Sequence, residues 1–364
     1  MRITIQKQTL LESLQIVMGA VAQKNTLPIL ANILFKAELT SISITATDLD
    51  IGITHTQEAN VLEQGSTTIP AKRFLDIIKE FPNEEIQITT KKNNTILIAT
   101  KNTTFKILTT PKEEFPNIPT NQNTQTLTIE QNTLKQMLTH TAFAMSKEET
   151  RYVLNGVCVE IQLKYIQATA TDGRRLAIIK KPHKSEVREA KTIIIPAKTV
   201  QELFKALKEE GCVVIKFTNN QVIFQINNTT IISRLIEGEF PNYQQAVPCK
   251  IETALTINKE QLMPAIKRAS LLTTTESQAI KLHLTKNKLT ISKTTPEVGE
   301  TTEELEAAYT GPELQIGFNP TYLLDVLKNI EEEKVEIEFM GPEKPGVLRI
   351  RDEYVYVVLP MQII

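Results

Sequence analysis

The sequence has little aromatic and sulfur chemistry. Its 364 residues include no tryptophan, 5% aromatic residues and three cysteines, Cys158, Cys212 and Cys249. The cysteines lack metal-binding spacing and cannot all pair, which is typical of a reducing compartment. The cores must be built from Ile, Leu, Val and Thr, and the β-branched members of this set favour sheets.

Long apolar segments are also missing. No stretch approaches the ~18 apolar residues that a membrane-spanning helix needs. The first residues, Met1-Arg-Ile-Thr, alternate between polar and apolar at once, so we expect no apolar leader. We expect a cytoplasmic protein.

Motifs for catalysis and for cofactors are absent. The four histidines are scattered and have no nucleophile or metal-ligand partner at usable spacing, and no glycine-rich phosphate loop occurs. Asp48 and Asp50 lie on one face of a strand end without a third ligand, so we interpret them as a solvated turn. We therefore expect no metal, no cofactor and no enzyme. An alternative is an enzyme with a site near Asp48 and Asp172, which predicts a bound metal or a strongly shifted carboxylate pKa.

An excess of positive charge is missing too. Lys and Arg number 41 and Asp and Glu 42, for a formal charge of −1. The chain thus lacks the overall basic signature of nucleic-acid binding. Any contact with DNA would have to come from segregation of charge on the surface.

The sequence does contain a short pattern of residues that occurs three times. An alternating strand tip followed by apolar residues at helical spacing begins at Ile3, Leu127 and Leu255. A second phrase, Ile-Pro-Ala-Lys, occurs at 69–72 and 195–198, with a weaker form at 317–320. The period is that of a whole domain. We predict three repeated domains over residues 1–122, 123–250 and 251–364.

Each repeat has the same pattern of elements. Apolar periodicity predicts two helices and about eight strands per repeat, including a strand over 303–309 in the third. The predicted helices cover 7–19, 71–80, 132–143, 197–209, 258–270 and 320–329. This composition indicates an α+β fold with helices packed on antiparallel sheets.

The most specific run is Ala168-Thr-Ala-Thr-Asp-Gly-Arg-Arg-Leu-Ala177. With the threefold repeat, it resembles the sliding-clamp family of bacterial replication, the beta subunit of DNA polymerase III. The resemblance extends over the whole chain through further runs at 26–30, 47–49, 114–117, 151–156, 239–243, 316–322 and 358–361.

The resemblance implies a DNA clamp fold and a head-to-tail homodimer that forms a ring around double-stranded DNA without reading its sequence. Such a ring gives processivity to the replicative polymerase and has no catalysis of its own. The implied partners are the DNA polymerase III alpha subunit, the clamp loader delta subunit, other DNA polymerases, ligase and mismatch-repair proteins, all through a short peptide motif.

The resemblance also implies positions that contact DNA. Sliding requires phosphate contacts, which carry no sequence information, and the predicted helices carry cations suited to them. Acidic residues such as Asp76, Glu202 and Asp325 share those helices, so the segregation of charge is modest. The expected DNA-binding residues are Lys24, Lys72, Arg73, Tyr152, Lys198 and Lys205.

Ring closure needs an interface between the first and third repeats. Phe105 and Ile107 lie on the last strand of the first repeat, and Leu271 and Leu272 follow the first helix of the third. By resemblance these four residues form the dimer interface, although burial inside their own domains is the alternative. The Glu-rich segment 297–306 is expected to face Arg73 across the joint.

The resemblance finally implies a pocket for partner peptides, apolar with a few polar groups at its edge. Burial in the core is the alternative for Leu154 and Val358. The chain departs from the family pattern in three places: Arg174 stands where histidine is frequent, Gln244-Gln245 where basic residues are common, and Ile363-Ile364 extends the tail with two apolar residues. The expected pocket residues are Leu154, Thr171, Gly173, Arg174, Arg175, Leu176, Pro241, Val247, Tyr322, Val358, Pro360 and Met361.

A further alternative is a monomeric or trimeric scaffold unrelated to DNA. It predicts no ring and no apolar joint at Phe105 and Leu271. The number of subunits distinguishes it from a clamp, because three domains per chain complete a six-domain ring only in a dimer.

Overall fold

The computed structural model describes residues 1–22, 27–117, 125–185, 187, 189–248, 252–296 and 298–363. Within these residues the chain forms 25 β-strands and six α-helices, with short 3-10 turns between them. The predicted α+β fold of repeated two-helix units is confirmed.

The first repeat contains nine strands and two helices. Its strands are β1 (Arg2–Gln6), β2 (Asn32–Glu38), β3 (Ser41–Thr47), β4 (Ile51–Glu58), β5 (Asn60–Glu63), β6 (Gly65–Pro70), β7 (Glu85–Lys91), β8 (Thr95–Ala99) and β9 (Thr104–Leu108). Its helices are α1 (Lys7–Val17) and α2 (Ala71–Glu80). The sequence pattern missed β5.

The second repeat contains eight strands and two helices. Its strands are β10 (Gln125–Glu130), β11 (Gly156–Ile161), β12 (Tyr165–Thr171), β13 (Arg175–Pro182), β14 (Lys191–Pro196), β15 (Cys212–Phe217), β16 (Gln221–Ile226) and β17 (Thr229–Arg234). Its helices are α3 (Gln131–Thr141) and α4 (Ala197–Ala206).

The third repeat also contains eight strands and two helices. Its strands are β18 (Thr253–Asn258), β19 (Ile280–Thr285), β20 (Lys288–Thr295), β21 (Gly299–Glu306), β22 (Leu314–Phe318), β23 (Lys334–Phe339), β24 (Gly346–Ile350) and β25 (Tyr354–Val358). Its helices are α5 (Lys259–Ser270) and α6 (Pro320–Lys328). The strand predicted over 303–309 begins earlier, at Gly299.

The helices form because apolar residues recur at helical spacing. In α2, Ala71, Phe74, Leu75 and Ile78 are buried, whereas the positions between them are mostly exposed. In the third repeat, the side chains of Asn258 and Asn319 cap α5 and α6 by accepting hydrogen bonds from the backbone N–H groups of Glu260 and Thr321.

The chain folds into two compact units. The first comprises Met1–Lys135, Ser185–Arg188 and Lys198–Leu235, and the second Gln136–Lys184, Glu189–Ala197 and Ile236–Ile364. Edge-on packing of Phe35 against Phe74, with centroids 6.1 Å apart, contributes to the core of the first unit.

Each unit contains an eight-stranded antiparallel sheet that two consecutive repeats share. In the first unit the order is β10-β15-β16-β17-β4-β3-β2-β6, and in the second it is β14-β11-β12-β13-β25-β24-β23-β18. The joins follow one rule: the fourth strand of a repeat pairs with the last strand of the next, as β4 with β17 and β13 with β25.

Two smaller sheets remain. The first repeat supplies a five-stranded sheet, β5-β1-β7-β8-β9, and the third supplies a four-stranded sheet, β21-β20-β19-β22. Among the described residues, β9 and β21 are therefore edge strands, with one side not paired in a ladder. They are the last strand of the first repeat and the fourth strand of the third, which are the two positions that the joining rule pairs.

Candidate functional site

The residues predicted to contact DNA fall into groups with different surroundings. Lys24 lies outside the described residues. Lys72 and Arg73 are exposed on the first turn of α2, and Tyr152 is 59% exposed. Lys198 and Lys205 lie on α4, and each donates a hydrogen bond to a carboxylate of the same unit, Asp48 and Glu202 respectively.

The residues predicted at the dimer interface differ in exposure. Phe105 on β9 is 39% exposed and packs edge-on against Phe81, with ring centroids 5.5 Å apart. Leu271 is 77% exposed and Leu272 is half-buried in the turn after α5. Ile107 lies on the same face of β9 as Phe105 but is only 9% exposed, so it is largely buried within its own repeat. Its assignment to the interface is not supported by this burial.

An apolar groove adjoins β9. It has a volume of about 650 Å³ and lies along α2, where Ile77 and Phe105 contribute apolar surface and Lys72, Arg73 and Asp76 contribute charge. Leu108, the last residue of β9, is 76% exposed. Leu108 is a candidate interface residue that the sequence did not reveal, because its exposure at the end of an edge strand is visible only in the structure.

All of the predicted pocket residues lie in the second unit. Pairing of β13 with β25 sets Arg175 opposite Val358 and Leu176 opposite Val357. The backbone N–H of Leu359 donates to the carbonyl of Arg174 at 2.9 Å, and that of Met361 to the carbonyl of Gly317 at 2.8 Å. These bonds fix the chain end, with Pro360 and Met361 half-buried.

The apolar side of this region is formed by both strands. Leu176 is buried in a cluster with Val347 and Val357, and Tyr243 and Val247 pack against it. Leu154 and Val358 are 7% and 2% exposed and belong to the core. Pro241 is exposed.

The turn that precedes β13 is held by side chains. The Thr171 hydroxyl donates to the carbonyl of Arg175 at 2.6 Å, and Asp172 Oδ1 accepts from the N–H groups of Arg174 and Arg175. Gly173 adopts a φ of +87°, which glycine permits without strain. The turn at Thr47-Asp48 has the same hydrogen bonds, with Leu49 at φ +82°.

Arg175 is the most constrained charge of the region. Its side chain is 7% exposed, and its Nε and Nη1 donate to Asp172 Oδ2 at 3.0 Å and Asp325 Oδ2 at 2.7 Å. The guanidinium lies 4.5 Å from the ring centroid of Tyr322. Burial works against its charge, but the hydrogen bond to Asp325 and the nearby carboxylates outweigh burial and raise the pKa of Arg175.

A hydrogen-bonded network that the sequence did not reveal anchors the loop carrying Pro241 and Val247. The Tyr243 hydroxyl donates to Glu160 on β11, and Gln167 Nε2 donates to the same hydroxyl at 2.5 Å. Burial, together with the bond to Glu160, raises the pKa of Tyr243. No local motif connects positions so distant in sequence.

The geometry gives little support to the alternative of an enzyme site at Asp48 and Asp172. Asp48 and Asp172 cap turns through their Oδ1 atoms. Over the described part of the chain, no three His, Cys, Asp or Glu side chains are grouped so that they could hold a metal ion. None of the helices among the described residues is long and apolar enough to span a membrane.

The chain contains three repeats of two helices and eight or nine strands, which are joined through shared sheets. This is the architecture of a DNA clamp. Three domain descriptions of the DNA polymerase III beta subunit match in chain order: the N-terminal domain over residues 1–119, the central domain over 128–242 and the C-terminal domain over 244–362.

Relatives and solved structures agree with this class over the full length. The chain is 31% identical over 367 residues to the beta sliding clamp of Pseudomonas putida, covering 100% of both chains. It is 33% identical over 375 residues to that of Staphylococcus aureus, covering 100% of this chain and 99% of the relative.

Among solved structures, the sliding clamp of Bacillus subtilis superposes with a TM-score of 0.96 at 30% identity. The clamp of Bartonella birtlesii bound to griselimycin superposes with a TM-score of 0.95 at 32% identity. Both comparisons cover 100% of both chains. The chain belongs to the family of DNA polymerase III beta subunits, the beta sliding clamps of bacteria.

Proposed function

We propose that two copies of this chain join head to tail into a ring of six domains that encloses duplex DNA in the cytoplasm and keeps the replicative polymerase attached to it. In this proposal closed topology retains the DNA, and the chain contributes no catalysis.

The observation that carries the proposal is the pair of edge strands. Within the chain, the fourth strand of one repeat pairs with the last strand of the next, and each join completes an eight-stranded sheet. If β21 of one copy pairs with β9 of another, the same rule also completes the two smaller sheets. Because β9 and β21 belong to the first and third repeats, two copies have two such joints and close a ring.

Side chains at the two edges support this pairing. The exposed Leu271 follows α5, which packs on β21, and the groove beside Phe105 offers apolar surface for it. The strand β21 carries four glutamates, whereas Lys106 lies at the centre of β9. Opposite charges on neighbouring strands favour pairing.

Retention on circular DNA tests the topological proposal. The protein is loaded by its clamp loader onto nicked circular DNA, isolated by gel filtration, and the DNA is then linearised. We expect the protein to stay with the circle and to leave the linear product within minutes. Equal retention on both forms would indicate ordinary binding and contradict the proposal.

For the second unit we propose a peptide pocket around Leu176, Val247 and Met361, with Arg174, Thr171 and Tyr322 as polar neighbours. It receives short, partly apolar segments of the DNA polymerase III alpha subunit, the clamp loader delta subunit, other polymerases, ligase and mismatch-repair proteins. The support is an apolar cluster bordered by the half-buried chain end and a rigid turn.

The chain end provides the test of this pocket. Met361→Ala, or removal of the last four residues, should abolish binding of a labelled partner peptide in fluorescence polarisation while light scattering still reports a dimer. Gln362→Ala, at an exposed neighbour, is the matched control and should bind normally. Full binding by the truncated chain would place the pocket elsewhere.

A further inference from the structure

Both lysines on α4 already have carboxylate partners in their own unit. Lys198 Nζ donates to Asp48 Oδ2, and Lys205 Nζ donates to Glu202 Oε1 at 2.7 Å. Both pairs border one groove of about 550 Å³, which Gly19 and Asp50 also line. Asp50 lies 3.8 Å from Arg234, measured between Oδ1 and Nη1.

The carboxylates of these pairs are far less exposed than the lysines. The Glu202 side chain is 6% exposed and that of Asp48 15%, against 67% for Lys205 and 44% for Lys198. Glu202 packs on Gly19 so closely that a Cβ at residue 19 would lie 2.0 Å from the carboxyl carbon. The position of this carboxylate is therefore fixed by packing.

A carboxylate this buried depends on its cation. Removing the cation from such a pair leaves an uncompensated charge in a poorly solvated place, which is strongly unfavourable. Lys205 cannot move to a phosphate without exposing Glu202 to that cost, and Asp48 restrains Lys198 in the same way. The exposure of these lysines thus overstates the positive charge that they offer to DNA.

We infer that Asp48 and Glu202 are positioning residues that hold Lys198 and Lys205 back from the phosphate backbone and so keep the DNA-facing wall weakly attractive. This inference rests on the proposed function. A clamp that slides must avoid strong phosphate contacts, and the two carboxylates provide this by neutralising cations that the family resemblance assigns to DNA binding.

The salt dependence of DNA binding tests this role, because each lysine freed for a phosphate contact steepens the plot of log affinity against log salt by about 0.9. The variants are Asp48→Asn, Glu202→Gln and the double substitution. Both new amides retain a hydrogen-bond acceptor, so the Asp48→Asn variant keeps the turn bonds. Binding of the purified protein to a short duplex is measured by fluorescence anisotropy between low and moderate salt.

We expect each single variant to steepen the slope by about 0.9 and the double variant by about 1.8. Glu38→Gln is the matched control, because it adds the same charge to the same unit and also releases a lysine, Lys36, from an exposed pair. Its slope should remain that of the unmodified protein. Adding Lys205→Ala to Glu202→Gln should restore the original slope.

If Glu38→Gln steepens the slope as much as the two test variants do, the effect comes from net charge alone and the inference is overturned. Unchanged slopes in all variants would overturn it as well. On loaded circular DNA, the double variant should also diffuse more slowly in single-molecule tracking. The proposed function fails separately, if the unmodified protein leaves nicked circles as fast as it leaves linear DNA.

Discussion

At the scale of single residues, Arg174 and Arg175 have opposite surroundings although they are adjacent and chemically identical. Arg175 is buried between Asp172, Asp325 and the ring of Tyr322. Arg174 is exposed, and the structure shows no ion pair for it among the described residues. Arg174 lies in the turn and Arg175 is the first residue of β13, so Arg175 forms part of the frame of the proposed pocket and Arg174 faces solvent.

The two arginines therefore make a matched pair for mutation. Arg175→Met should destabilise the second unit by about 3 kcal/mol, because it leaves two partly buried carboxylates without their cation. Arg174→Met should change stability by less than about 0.5 kcal/mol. Thermal unfolding followed by circular dichroism measures both, and similar melting temperatures for the two variants would contradict the assignment of Arg175.

The sequence could identify these residues only through the resemblance. Their types and order placed both arginines, Thr171 and Leu176 at one turn, and the structure brings them together there. The sequence could not predict which arginine is buried, because burial depends on Asp325, which lies 150 positions away along the chain. The network of Glu160, Gln167 and Tyr243 was missed for the same reason.

At the scale of elements, the helices could be predicted closely and the edge strands less well. The predicted segment 71–80 agrees with α2 in both bounds, because its apolar spacing is regular and Pro70 precedes it. The strand β5 and the start of β21 were missed. Both are edge strands rich in polar residues, so they lack the apolar alternation by which strands are recognised.

The turn after α5 provides the prediction at this scale. Leu271→Ala combined with Leu272→Ala should shift the protein from dimer to monomer in size-exclusion chromatography with light scattering. Loss of two apolar anchors at about 2 kcal/mol each weakens each of the two joints roughly a thousandfold. Leu163→Ala, at a leucine that is 61% exposed in a β-turn of the second unit, should leave the dimer intact. A dimer of unchanged affinity in the double variant would reject the interface.

At the scale of the whole molecule, the joins within the chain predict the register of the joint between chains. Where β4 meets β17, Ile51 lies opposite Ser233, and where β13 meets β25, Arg175 lies opposite Val358. In each case the first residue of the fourth strand faces the fifth residue of the last strand. Transferred to β21 and β9, this rule sets Gly299 opposite Leu108.

In an antiparallel ladder that register puts Thr301 of one copy opposite Lys106 of the other, with Cβ atoms about 5 Å apart. A chain carrying Lys106→Cys and Thr301→Cys, with its three native cysteines replaced by serine, should form an intermolecular cross-link with a short bis-thiosulfonate reagent. Because each ring has two joints, the fully linked product is a covalently closed dimer. It should remain on nicked circular DNA under conditions that dissociate the unlinked dimer.

Lys106→Cys with Glu304→Cys is the control, since the two positions then lie about 10 Å apart along the strand. Preferential linking of this control pair would mean that the joint between chains does not repeat the register of the joins within them.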